Sequence, residues 1–194
     1  MSQPGGPVRT RPSAAVLLAI ALPLVLAVTV AVLSLVNRNA ADPGTPDPGP
    51  PDTRPLAAAP VDAPDASGAA CASLLAALPA TLPGGDAGLP SRALADPAPA
   101  GVRAWAAPSR PVVLRCGLPR PAELTPTSAL VVVNGVSWLQ LPDDVPDPVQ
   151  SSWVAVDRST YIAVTTPATV GSGPLQTIAD TITKTLPAAP IAVR

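Results

Sequence analysis

The chain has 194 residues, a formal net charge of −1 at pH 7, no histidine and two cysteines. Without histidine it lacks the usual general base near neutral pH and the commonest metal ligand, and no nicotinamide, flavin or zinc fingerprint is present, so neither cofactor nor metal is expected. From Cys71 onward eight basic residues balance eight acidic ones, which leaves no electrostatic footprint for nucleic acid.

Residues 1–13 are polar and read as a cytoplasmic tail. Ala14–Val36 is an unbroken run of 23 uncharged residues. At about 1.5 Å per residue a helix over it reaches roughly 34 Å, enough to cross a hydrocarbon core of about 30 Å. Arg9 and Arg11 precede the run with no acid to offset them, and Arg38, then Asp42, Asp47 and Asp52 follow it. The run therefore reads as a single-pass helix in the lipid bilayer, N-terminus cytoplasmic and C-terminal domain extracytoplasmic. The rival is a cleaved signal peptide, whose apolar region is ordinarily about 7 to 15 residues. Residues 37–70 hold eight prolines, five aspartates and no aromatic. Such a segment buries too little apolar surface to offset its ordering entropy and reads as a disordered, semi-rigid linker.

The folded part is expected over 71–194, one ordinary domain outside the cytoplasmic membrane. Cys71, Leu74, Leu75 and Leu78 recur at i, i+3, i+4 and i+7, one face of a helix that Pro79 ends. Residues 79–101 are rich in proline and glycine and read as loop. Val102–Trp105 is a weak strand. In Pro111–Cys116, Val112, Leu114 and Cys116 alternate with Val113 and Arg115. Leu130–Val133, Asn134-Gly135 and Val136–Leu141 form the strongest local signal, a type I′ hairpin pairing Val133 with Val136 and Val131 with Trp138. A second hairpin is expected between Trp153–Val156 and Tyr161–Thr165. A closing helix carries Leu175, Ile178, Ala179 and Ile182 on one stripe, with Pro174 in its first turn, Lys184 near its end and Pro187 after it. The fold class is α+β: a single-span helix, a linker, then an antiparallel sheet of about five or six strands with an N-terminal and a C-terminal helix on one face.

Cys71 and Cys116 both fall on inward faces and suit a disulfide in an oxidising compartment. Charge is segregated, with five arginines and one aspartate between Arg92 and Arg120. Arg92, Arg103, Arg115 and Arg158 are the candidate anion-binding surface, against the plainer reading of solvated or salt-bridged strand ends. Trp105, Trp138 and Trp153 are candidate aromatic contacts, against the plainer reading of core packing. Asp143, Asp144 and Asp147 read as an acidic turn that lacks calcium-loop spacing.

The segments Cys71-Ala-Ser-Leu-Leu-Ala-Ala-Leu-Pro79, Ala104-Trp105, Val113-Leu-Arg-Cys-Gly117 and Asn134-Gly-Val-Ser-Trp138 resemble a family of actinobacterial membrane-anchored extracytoplasmic proteins known only as a domain of unknown function. The resemblance covers most of residues 71–190. It departs from the family at Asp157-Arg-Ser-Thr160, where Arg158 alone is retained. It implies an envelope location and no activity. The expected function is a non-enzymatic binding or accessory module of the cell envelope, whose partner is another envelope protein or an anionic envelope polymer. The alternative is an envelope-acting hydrolase or transferase using carboxylates.

Overall fold

The computed structural model describes residues 24–33, 50–85, 87–142 and 148–193. The chain divides into two units, Met1–Asp47 and Pro48–Arg194. In the first, a helix (α1) runs over 24–33. No helix among the described residues is long and apolar enough to cross a membrane, which corrects the expected single-span helix over Ala14–Val36. Residues 14–23 and 34–36 of that run lie outside the described residues.

The second unit holds α2 (Ala69–Ala77), β1 (Thr81–Leu82), β2 (Leu89–Arg92), β3 (Val102–Trp105), β4 (Val112–Leu118), β5 (Leu130–Val133), β6 (Val136–Gln140), β7 (Gln150–Ala155), β8 (Tyr161–Pro167) and α3 (Gly173–Thr185). The strands form one eight-stranded sheet in the order β1-β2-β3-β4-β8-β7-β6-β5, and all seven neighbouring pairs are antiparallel. Eight strands replace the five or six expected. The additional two, β1 and β2, lie in the Pro- and Gly-rich stretch read as loop. Leu82 pairs with Leu89 and Pro90 with Thr81. Pro90 C=O accepts from Ala106 N–H at 2.8 Å, so the N–H that proline lacks would face the residue just past the end of β3, where the ladder closes.

Alternation explains the core. Val112, Leu114 and Cys116 of β4 are buried on one face, with Val113 and Arg115 on the other. The first face is covered by both helices. Cys71, Leu74 and Leu78 of the α2 region, and Leu175, Ile178, Ala179 and Ile182 of α3, join Trp105, Trp138, Ile162 and Val164 in the main core. The Cys71–Cys116 disulfide ties α2 to β4 across a separation of 45 residues, a cross-link that the chain-entropy model values at about 4 kcal/mol. The opposite face carries a smaller cluster of Leu124, Leu139, Val154 and Val156, with Tyr161 and Ile191 against it.

The two expected hairpins are present. Asn134 and Gly135 have φ of 47° and 77°, the paired positive values of a type I′ turn. Val133 pairs with Val136 and Val131 with Trp138. In the second hairpin Trp153 pairs with Val164 and Ala155 with Ile162.

The described residues of the second unit begin at Pro50, inside the stretch read as linker. Residues 50–67 form a strap on the sheet. Leu56 N–H donates to Ala93 O at 2.8 Å, Ala95 N–H to Leu56 O at 2.9 Å, and Asp65 N–H to Gly117 O at 3.1 Å. Gly117 has φ +89°, and a Cβ there would overlap the backbone of Ala66. Glycine is thus required twice over, by its dihedral and by the close approach of the strap. The rest of the 37–70 stretch, residues 37–49, lies outside the described residues.

Candidate functional site

Arg115 is placed by its strand. With Val112, Leu114 and Cys116 committed to the core, Val113 and Arg115 must emerge on the open face. Thr165 of β8 pairs with Val113, and Ser152 of β7 pairs with Thr165. The Ser152 and Thr165 hydroxyls are 3.0 Å apart. Beside them Arg110, Pro111, Val113, Arg115, Gln150 and Thr165 line a shallow cleft of about 260 Å³.

The electrostatics of this cleft are one-sided. It holds two guanidinium groups, a carboxamide and a hydroxyl, and none of its described lining residues is acidic. The Arg115 Nη1 atom is buried and has no hydrogen-bond partner among the described residues. Burial lowers the pKa of Arg115, the direction that desolvation of a cation produces. A guanidinium stays charged in proteins and presents a planar fork of donors. A partly desolvated fork with a free donor is suited to a carboxylate or phosphate oxygen.

The other three candidate arginines are held elsewhere. Arg92 shares the open face, because it pairs with Ala104, which pairs with Val113. Its Nη2 meets Asp52 Oδ2 at 2.9 Å and its Nε donates to Arg54 O at 2.6 Å, so it fastens the strap. Arg103 pairs with Leu114 and so falls on the opposite face in register; its Nε is buried without a hydrogen-bond partner among the described residues. Arg158 is 5% exposed. It donates to Asp157 O at 2.8 Å and Gly135 O at 3.0 Å, and contacts Asp157 Oδ1 at 2.9 Å. Its backbone bridges to Ala188, while Asp157 Oδ2 accepts from Ser137 N–H at 2.8 Å. Arg158 therefore staples two turns and the C-terminal segment together. The surface of four arginines read from the sequence is not assembled as one patch.

The tryptophans divide similarly. Trp105 and Trp138 are fully buried, and Trp105 Nε1 donates to Pro79 O at 3.1 Å. Neither offers a ring to a ligand. Trp153 is half-buried against the main core and lines a small cavity of about 220 Å³ with Thr166, Pro167 and Leu175. A larger cavity of about 450 Å³ at the β5–β7 strand ends has only uncharged residues among its described lining, including Ala129, Val131 and Leu141. A third, of about 390 Å³, lies under the strap between Ala57, Pro60 and Asp96. Among the described residues, none of these cavities is lined by two carboxylates. Among the described residues no group of three or more His, Cys, Asp or Glu is placed to hold a metal. The expected acidic turn at Asp143, Asp144 and Asp147 lies outside the described residues.

Sequence reasoning singled out Arg115 but not Arg110, Gln150 or Thr165. Arg110 was visible in the arginine-rich stretch. Thr165 follows Tyr161 and Ala163 on one phase of β8. Gln150 carries no local signal, because its place in the cleft depends on how β7 pairs with β8.

A disulfide-linked, single-sheet α+β module with a basic cleft on its open face thus forms the C-terminal unit. The chain belongs to the family described as Protein of unknown function (DUF3515), whose model matches residues 19–191. No curated protein matches the chain, and no solved structure does.

Proposed function

We propose that the protein is a non-enzymatic binding or accessory module of the cell envelope, acting outside the cytoplasmic membrane, and that it takes an anionic group of an envelope polymer in the Arg115 cleft. One observation carries the reading: a buried Arg115 donor without a partner among the described residues, in a cleft with a second guanidinium and no acid among its described lining residues. A desolvated, unpaired cation is costly, and an incoming anion relieves that cost. The Cys71–Cys116 disulfide supports the compartment, because such cross-links persist where the surroundings are oxidising.

The test is titration of the full chain with poly-L-glutamate and with polyphosphate, followed by calorimetry. Saturable binding that weakens as salt rises is expected. Arg115→Gln should lower the affinity roughly tenfold to a hundredfold, the effect of losing a charge-assisted hydrogen bond. Preference for one probe separates carboxylate from phosphate recognition. Binding of neither probe, or equal binding by the variant, overturns the reading.

A further inference from the structure

The two edges of the sheet are built differently. β1, at one edge, is two residues long and lies between Pro79 and Pro83. So short an edge, flanked by residues without an N–H, cannot template another strand. β5, at the other edge, pairs with β6 alone among the described residues. Its sequence is Leu130-Val-Val-Val133, and residues 124–142 contain no charged side chain. The β5–β6 register has no bulge. Val131 and Val132 are 46% and 69% exposed. None of the devices that normally protect an edge is present in this strand.

The turn fixes which backbone groups are free. A two-residue hairpin loop is closed by a pair that exchanges both hydrogen bonds, here Val133 with Val136. Alternation makes Val131–Trp138 the next bonded pair. The N–H and C=O of Val132 and Leu130 therefore point away from β6, along the free edge.

We propose that β5 pairs antiparallel with β5 of a second copy of this chain, about a two-fold axis through Val131. In that register Leu130 faces Val132 of the other copy and Val132 faces its Leu130. Both pairs exchange both bonds, so every outward backbone group of the strand is used. Val131 meets its own counterpart in the intervening non-bonded position, where side chains stand closest. A neutral edge meets itself without like-charge repulsion. The protected β1 edges are left outermost, so the assembly closes at two copies and does not grow into a fibre. A two-fold axis normal to the sheet also keeps both helix layers on one side and both open faces on the other. This inference is independent of the Arg115 cleft.

The test is sedimentation of the full chain over a range of concentrations. The expected result is a monomer–dimer equilibrium that Val132→Lys weakens roughly tenfold or more. Val132→Pro should weaken it too, since it removes an outward N–H and leaves the β5–β6 ladder whole. Near-ultraviolet circular dichroism of the buried tryptophans confirms that each variant is folded. Val131→Cys should form a covalent dimer on oxidation, because both native cysteines are already joined and the non-bonded pair brings the two Cα atoms within disulfide range. A monomer at every concentration overturns the proposal and leaves the edge to an extended strand of another protein. So does a dimer that survives both Val132 variants, or a folded Val131→Cys protein that does not cross-link.

Discussion

The two faces of the sheet are made by the same strands, yet they carry opposite contents. The helix-covered face holds the disulfide, Trp105, Trp138 and the apolar stripes of α2 and α3. The open face has a small cluster around Leu139 and Val154, and Arg115 in its cleft two strands away from Val154. Alternation assigns each residue to a face; what lies over that face decides whether the residue stabilises or is available to a ligand. Fold stability is concentrated on one side, and the unsatisfied chemistry of Arg115 is left on the other.

Substitution at neighbouring positions of β6 measures this contrast most directly. Trp138 and Leu139 are adjacent and point to opposite faces. Trp138→Ala removes a fully buried ring from the main core and should cost about 3–5 kcal/mol. Leu139→Ala acts on the smaller cluster and should cost about 2 kcal/mol, the low end for a buried leucine, because a thin layer collapses more easily into the void. Urea unfolding of both variants gives the two values. Equal losses would mean that the open-face cluster is as tightly built as the helix-covered one.

How much of this was legible in the sequence follows from how local each signal is. The Asn134-Gly135 hairpin was readable down to its register, because two residues of positive φ determine the turn and the turn determines the pairs. The stripes of α2 and α3 were readable for the same reason. β1 and β2 were not, since Thr81-Leu82 and Leu89-Pro-Ser-Arg92 have little strand character and exist through pairing with each other and with β3. The strap was missed because composition speaks to average burial, whereas a few contacts hold it: Leu56 to Ala93 and Ala95, Asp65 to Gly117, Asp52 to Arg92. Arg115 followed from alternation alone. The burial of Arg158 did not, as its partners Gly135 and Ala188 lie far away in sequence.

The strap adds a second layer to the comparison, because it presses on β4 at Gly117. Gly117→Ala meets both a positive φ and the backbone of Ala66. It should destabilise the domain by more than about 1 kcal/mol, the loss expected where alanine is forced to positive φ. Hydrogen exchange would locate the damage: Asp65 N–H, which donates to Gly117 O, should lose protection, while the amides of β6 and β7 should keep theirs. Uniform loss of protection would mean that strap and sheet open together as one unit.

The smallest effect expected is electrostatic and lies at the other end of the strap. Asp52 is held down to a pKa of about 2 from 3.8, first by the hydrogen bond from the Arg54 side chain, then by the Arg54 backbone N–H, with the Arg92 charge a lesser cause. A depressed carboxylate contributes stability that is present above its unfolded pKa and is lost as pH falls through the folded one, here between 3.8 and about 2. Only part of that shift belongs to folding. Arg54 is two residues from Asp52 and can hold it in the unfolded chain as well, whereas Arg92 is 40 residues away and reaches it only when the strap is docked. Arg54→Ala should therefore raise the Asp52 pKa most, yet leave the strap in place at neutral pH. Arg92→Gln should move that pKa less and loosen the end of the strap that Arg92 fastens at Asp52 and Arg54, read as faster proteolysis between residues 50 and 56. Titration of Asp52 by carboxylate NMR, set beside the cleavage rate of each variant, separates the two roles. If Arg54→Ala frees the strap as fully as Arg92→Gln, the strap is held by the whole triad and not by the long-range ion pair.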